Sequence, residues 1–238
     1  MLEKHLLSVL TQAEFFIQHC GWPTIRSVYI GGGTPSVMQA DQLHDFLYRL
    51  AKTLRSPSSI EWTIEANPED LSPQWLSAIK DSPVSRLSLG VQSFSDKLLA
   101  VLNRRSSSAS LHKAIDMVAS QWDMTYCNLD FISGIPGQTA KQIASDLQQI
   151  RHYLPGHISH YTLTVEEGTS LHSGIQRGKL KLPDQDECWE QMHDGLLESG
   201  YEHYEISNYT RDQRYSEHNY AYWTMQAYIG LGDGAVGT

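Results

Sequence analysis

The sequence has few cysteines. Cys20, Cys127 and Cys188 are the only three in 238 residues, they lie far apart, and no C-x-x-C pair occurs. A disulfide framework and a compact zinc site are therefore both disfavoured, and a reduced, cytoplasmic setting is expected. In that setting the Asn208-Tyr209-Thr210 sequon is a chance match. Long hydrophobic runs are missing too. No apolar stretch approaches the roughly 18 residues of a membrane span, and no secretory signal follows Met1. Basic residues are in deficit, 18 Lys and Arg against 27 Asp and Glu, for a net charge of −9. That balance argues against nucleic acid as a partner. The eleven histidines show no H-E-x-x-H or H-x-x-E-H spacing, so no metal is expected from them, and no phosphate-binding P-loop occurs.

What is present is a hydrophobic fraction of 40%, enough to fill a core, and a length that suits one large α/β domain or two small ones. Apolar residues at helical spacing alternate with short β-rich runs. Helices are predicted over residues 2–19, 39–54, 109–121 and 139–153, and from Asp184 to near Gly200. Strands are predicted at "SVYIGG", "EWTIEAN", "SRLSLGVQ", "TYCNLDFIS" and "HISHYTLTV". Ser72 and Pro73 form an N-cap and first-turn pair, Ser95 caps a short helix, and Asp184 with Glu187 makes a capping-box-like start. Such alternation implies a parallel sheet, open or closed into a barrel.

Several of these strands alternate, although strands buried on both faces usually read as continuous apolar runs. Glu61, Thr63, Glu65 and Asn67 oppose Trp62, Ile64 and Ala66. Arg86, Ser88, Gly90 and Gln92 oppose Leu87, Leu89 and Val91, and Tyr126, Asn128 and Asp130 oppose Cys127, Leu129 and Phe131. A doubly wound sheet has no place for three polar faces. A barrel or partial barrel can turn them towards a polar ligand. In such a fold ligand chemistry gathers at the carboxyl ends of strands, which gives Gly31-Gly32-Gly33-Thr34, Glu65, Gln92 and Asp130 in order.

Each member also has a plainer explanation. The glycine triplet is either a tight turn or a cradle where backbone groups approach a ligand. Glu65 is either a site residue or an ion-pair partner of Arg86. Asp130, mid-run in a β-rich segment, needs a partner if buried. Arg104 is either a solvated helix-end charge or a site residue, and "GIPGQT" reads as a structural βα loop. "GLGDGAVG" matches a dinucleotide fingerprint formally, but no helix and strand follow it.

Taken together, "YIGGGTPS", "IEANPEDL", "RLSLGVQSF", "NLDFISGIPGQT", "EEGTSL", "YEHYEISNY" and "HNYAYW" occur in an order that resembles the radical S-adenosylmethionine (SAM) family of oxygen-independent coproporphyrinogen III oxidases. "EISNY" and "HNYAYW" place the resemblance closest to the heme-chaperone branch. The resemblance implies a partial TIM-like (β/α)6 radical SAM barrel, an α/β fold. It implies contacts to SAM from Gly32, Gly33, Thr34, Glu65, Gln92, Arg104, Asp130 and Thr164. It implies a role in heme or porphyrin metabolism, with heme or porphyrin as ligand and a heme-accepting protein as partner. His218, Tyr204 and Tyr209 are candidate axial ligands to heme, against packing roles for each.

The family's C-x-x-x-C-x-x-C motif, which holds a [4Fe-4S] cluster, does not occur in this sequence. The expectation is a single barrel domain over residues 1–238, lacking the first strand, with residues 184–238 as an extension at the end of the barrel. Without the cluster, reductive cleavage to the 5′-deoxyadenosyl radical has no electron source, and no activity as a radical enzyme is expected. A truncated form and a natural cluster-less heme- or partner-binding module both satisfy these observations.

Overall fold

Helix and strand alternate along the chain as the two hydrophobic periods require, in a computed structural model that describes residues 2–20, 24–55 and 59–237. In chain order the elements are α1 (Leu2–His19), β1 (Ser27–Ile30), α2 (Ala40–Leu54), β2 (Glu61–Ala66), α3 (Pro73–Lys80) and β3 (Arg86–Gln92). There follow α4 (Asp96–Val101), α5 (Ser108–Gln121), β4 (Cys127–Ser133), α6 (Ala140–Tyr153) and β5 (His157–Thr162). The last are α7 (Ser170–Gln176), α8 (Gln185–Glu198), β6 (Glu202–His203), β7 (Asn208–Thr210) and α9 (Glu217–Trp223). The strands form an open, mostly parallel seven-stranded sheet in the order β1-β2-β3-β4-β5-β7-β6. This is the α/β architecture of a partial TIM-like barrel. β1 pairs parallel with β2, and β4 with β5, whereas β7 runs antiparallel to both β5 and β6. The antiparallel β6 and β7 are too short for a period of two to announce them.

The chain divides into two compact units. Residues 1–66, 70–87 and 215–238 form the first, and residues 67–69 and 88–214 the second, so the division falls inside β3. In the first unit α1 buries Leu10, Ala13 and Ile17, and α2 buries Leu43, Phe46, Leu47 and Leu50. The spacings of three and four residues make one apolar stripe on each helix. α3 starts where sequence predicts, with the Ser72 hydroxyl accepting from the Trp75 N–H at 3.1 Å and Pro73 in the first turn. Trp62 and Ile64 of β2 are buried, and Trp62 is tied to Ser85 by its N–H to Ser85 Oγ (2.9 Å) and by Ser85 N–H to its carbonyl (3.0 Å).

In the second unit α8 begins on Asp184, whose carboxylate accepts from the N–H groups of Asp186 and Glu187 at 3.1 Å each. α8 lies against α6, and there a side chain on Gly195 would collide with Leu147. Leu89, Cys127, Leu129, Phe131 and Ile158 fill the apolar face of the strands. The five predicted strands are all shorter than predicted, β5 stopping at Thr162, and two of the differences bear on the polar face. β1 stops at Ile30, which leaves all three glycines outside the strand, and residues 124–126 form a 3-10 turn that removes Tyr126 from the polar face of β4.

Gly156 marks a tight junction at the start of β5. Its N–H donates to the Met124 carbonyl at 2.8 Å and its own carbonyl accepts from Arg211 N–H at 3.0 Å. A Cβ there would run into the Thr125 backbone carbonyl. Overpacking against immovable backbone typically costs about 1–3 kcal/mol. Gly156→Ala is therefore expected to lower the unfolding free energy from urea titration by that amount, while an unchanged value would show that the junction relaxes freely.

Candidate functional site

In the first unit the candidate residues begin where β1 ends. Gly32 has φ of +79°, a conformation that L side chains rarely adopt. A Cβ on Gly31 would lie 2.5 Å from Glu65 Cδ, so the absence of a side chain there makes room for the carboxylate. Glu65 in turn accepts from the Tyr29 hydroxyl at 2.7 Å and from the Gly32 N–H at 3.2 Å. Glu65 makes no ion pair with Arg86 among the described residues, which removes the structural alternative that sequence left open. Around Gly32 and Gly33 nothing lies within 4 Å of a Cβ position, so the turn presents open space beside a carboxylate. Thr34, half-buried, precedes the 3-10 turn Pro35–Val37, and Ser36 anchors that turn to Asp70 at 3.0 Å.

At the opposite end of β2, Glu61 receives the start of α9. Its carboxylate accepts from Ser216 Oγ and from the N–H groups of Glu217 and His218, each at 3.1 Å. A carboxylate facing a helix N-terminus is favoured by the aligned peptide dipoles. His218 stacks on Tyr29 with 4.8 Å between ring centroids, and its Nδ1 lies 3.2 Å from Ser27 Oγ. Burial pulls the His218 imidazole below its ordinary value, and Glu61 partly offsets this.

In the second unit a further group of candidate residues centres on the end of β3. Gln92 has φ of +69°, an uncommon conformation for a residue with a side chain, and therefore needs support from its surroundings. Asp146 of α6 provides part of it. This buried carboxylate accepts from Ser93 Oγ at 2.8 Å and Phe94 N–H at 2.7 Å, while Gln142 donates to Ser95 at 2.9 Å. Arg104 is not a solvated helix-end charge. Its Nη2 donates to the Gly90 carbonyl and to Asn67 Oδ1, both at 3.0 Å, and Glu69 lies 3.9 Å away. Its Nε is buried without a hydrogen-bond partner.

Asp130 sits mid-strand in β4 and is tied to a buried network. Asn128 Nδ2 approaches Asp130 Oδ1 at 2.6 Å, Ser88 Oγ at 2.8 Å and Ser159 Oγ at 2.9 Å. A carboxylate oxygen accepts, so Asp130 fixes which way the Asn128 amide points. The amide oxygen then faces His157 Nδ1 at 2.7 Å, which must carry the proton, and His157 Nε2 accepts from the Tyr204 hydroxyl at 2.8 Å. Ser159 passes the chain to Asn208, which donates to Glu205. Sequence singled out Asp130 but missed Asn128 and His157, and its only signal for them was their places in β4 and β5.

The remaining expected residues fall elsewhere. Thr164 is exposed after β5, and its hydroxyl makes no hydrogen bond among the described residues. Tyr209 is 0% exposed, with its hydroxyl 2.8 Å from His193 Nδ1 and its ring stacked on His203 at 4.4 Å. Burial raises the Tyr209 phenol well above its ordinary value, and Tyr209 packs as a core residue. In the same cluster burial lowers His160 to about 3, with His193 and His203 adding to the effect. Cys20 is exposed and Cys127 and Cys188 are buried, and among the described residues no three His, Cys, Asp or Glu are grouped to hold a metal. The glycine-rich end forms no helix: Gly232 N–H donates to Gln12 at 2.8 Å, so the formal dinucleotide match is a loop. No described helix is long and apolar enough to cross a membrane.

Comparison with known proteins identifies the family and the fold. The chain is 36% identical over 216 residues to the heme chaperone HemW of Lactococcus lactis, covering 90% of this chain and 57% of that protein. It is 34% identical to HemW of Bacillus subtilis, covering 99% and 61%. It is 33% identical to the mitochondrial radical S-adenosyl methionine domain-containing protein 1 of Mus musculus, covering 96% and 52%. The chain thus spans less than two thirds of the length of these relatives. Among solved structures, the coproporphyrinogen III oxidase HemN of Escherichia coli superposes with a TM-score of 0.80 at 18% identity, over 99% of this chain and 57% of that one. The Radical SAM superfamily profile matches residues 12–150, more than half of the sequence. The chain belongs to the radical SAM superfamily.

Proposed function

We propose that this chain binds S-adenosylmethionine at its strand ends as part of a protein of the heme-chaperone or coproporphyrinogen III oxidase-like kind, with heme or a porphyrin as its further ligand. The observation that carries this reading is the open glycine turn at Gly32 and Gly33 beside the Glu65 carboxylate. SAM presents an ammonium group, a carboxylate, a ribose diol and an adenine edge. Glu65 suits the ammonium or the diol, the turn lets backbone groups approach closely, and the unpartnered Arg104 Nε is a donor awaiting an acceptor. Gln92 and Asp130 supply further polar groups on the strands of the second unit, and Thr34 a hydroxyl on the first. The names of the relatives support heme or porphyrin as the further ligand, delivered to an accepting protein.

The superfamily implies SAM and a [4Fe-4S] cluster, which together supply one-electron, radical-generating chemistry. The residues fit the two unequally. SAM has a cradle and charged partners, whereas the three cysteines cannot ligate one cluster: two are buried and one is exposed, with no thiolate spacing among them. A cluster therefore needs ligands that these residues do not provide. Anaerobic iron reconstitution of this chain is expected to give no stoichiometric [4Fe-4S] spectrum, and such a spectrum would refute that part of the reading.

SAM binding is open to a direct test by calorimetric titration. Gly33 has open space and needs no positive φ, so Gly33→Leu is expected to leave the melting temperature unchanged while lowering SAM affinity at least about tenfold. Undiminished affinity in this variant would contradict the cradle.

Asp146, which pins the loop after Gln92, adds a pH dependence. Burial pushes its carboxyl up to about 6, against the Phe94 and Ser93 hydrogen bonds. The native state thus holds this proton more tightly than the unfolded chain. The stability it contributes is full below the ordinary value near 3.8 and is lost as pH rises to about 6. Relative to Asp146→Asn, the wild type is expected to lose on the order of 2–3 kcal/mol between pH 4 and 6.5, with no change above that window. A difference that stays flat across this range would contradict the burial.

A further inference from the structure

Arg86 opens β3 and is only 5% exposed. Strand alternation sets its side chain on the polar face, with Ser88 and Gly90. Its Nη2 is buried and has no hydrogen-bond partner. Among the described residues the Arg86 side chain makes no hydrogen bond and no ion pair. The carboxylates of its own unit that line the neighbouring strand are already engaged. Glu65 is held by Tyr29 and Gly32, and Glu61 by Ser216 and the first amides of α9.

A guanidinium stays charged at every physiological pH, so burial does not neutralise it as it would a lysine or a carboxyl. An isolated buried charge is costly, and an apolar residue of similar volume would serve packing better. The rigid fork of donors matches a carboxylate in a two-point contact. We infer that Arg86 is the anchor of a carboxylate-binding site on the polar face of the sheet, and that the carboxylate belongs to the acidic side chains of a heme or porphyrin ligand. The choice of ligand rests on the function proposed above; the carboxylate site itself rests on Arg86 alone.

The test uses the intact chain as wild type, Arg86→Met and Arg86→Lys. Each is titrated with iron protoporphyrin IX and with its dimethyl ester, which lacks the charges. For the wild type the free acid is expected to bind at least about tenfold more tightly than the ester. The ratio should collapse towards one in Arg86→Met and recover in part in Arg86→Lys. Equal affinity for acid and ester in the wild type would overturn the proposal. So would a SAM affinity that falls in Arg86→Met while the acid-to-ester ratio stays put, since the carboxylate received would then be that of SAM.

If neither porphyrin binds, the functional reading fails by itself and benzoate decides the site. A thermal upshift with benzoate but not benzamide, lost in Arg86→Met, upholds the carboxylate site; no benzoate-specific shift overturns it. Without ligand, Arg86→Met is expected to melt at or above the wild-type temperature. A marked fall would mean that the guanidinium serves the fold, and would overturn the proposal as well.

Discussion

Polar groups buried on one face of a mostly parallel sheet must be paired by neighbours, by water or by a ligand, and that requirement organises much of this molecule. The apolar face is routine: Leu89, Leu129, Ile64 and Ile158 pack beneath helices whose stripes sit at spacings of three and four residues. The polar face needs an individual solution for each side chain. Glu65 is paired with a tyrosine and a glycine amide, Asp130 with an asparagine, and the Nη2 of Arg104 with a carbonyl and a side-chain amide, while its Nε is left without a partner. Each solution fixes the geometry of the next residue along. Asp130 orients Asn128, Asn128 sets the His157 tautomer, and His157 accepts a hydrogen bond from the Tyr204 hydroxyl. Such networks specify one arrangement because a half-satisfied version is worse than an apolar one.

Much of the fold was legible in sequence because two independent signals agreed. Strand alternation at "EWTIEAN", "SRLSLGVQ" and "YCNLDF" marked the polar face, and Ser72-Pro73 and Asp184 marked helix starts that the hydrogen bonds reproduce. The β6–β7 hairpin was not legible, since strands of two and three residues carry no period. Within the site, the residue types at strand ends could be named, but not the partners that hold them. Tyr29 is invisible as the clamp on Glu65, because its hydroxyl reaches across to a strand 36 residues away in sequence. Asp146 lies in the predicted helix over residues 139–153 with nothing in the sequence to mark it out, yet it is buried and carries the loop after Gln92. An ion pair with Arg86 was one of two roles open to Glu65, and the carboxylate instead accepts from the glycine turn.

The cysteines draw a line between what this chain's residues hold and what its superfamily uses. The proposed SAM contacts use glycine backbone and a carboxylate, and those groups are present beside one another in the first unit. Cluster ligation depends on thiolates, and among the described residues Cys20 is exposed while Cys127 and Cys188 are buried. On the proposed function, SAM binding and iron content are measured separately.

On the proposed function, the glycine turn after β1, beside the Glu65 carboxylate, is where SAM is received. Amide hydrogen exchange of the whole chain with and without saturating SAM tests it most directly. Slowed exchange is expected at Gly32 and Gly33, with the α5 and α6 amides unchanged. Binding of SAM with no change at the glycine turn, or with protection confined to other elements, would contradict it.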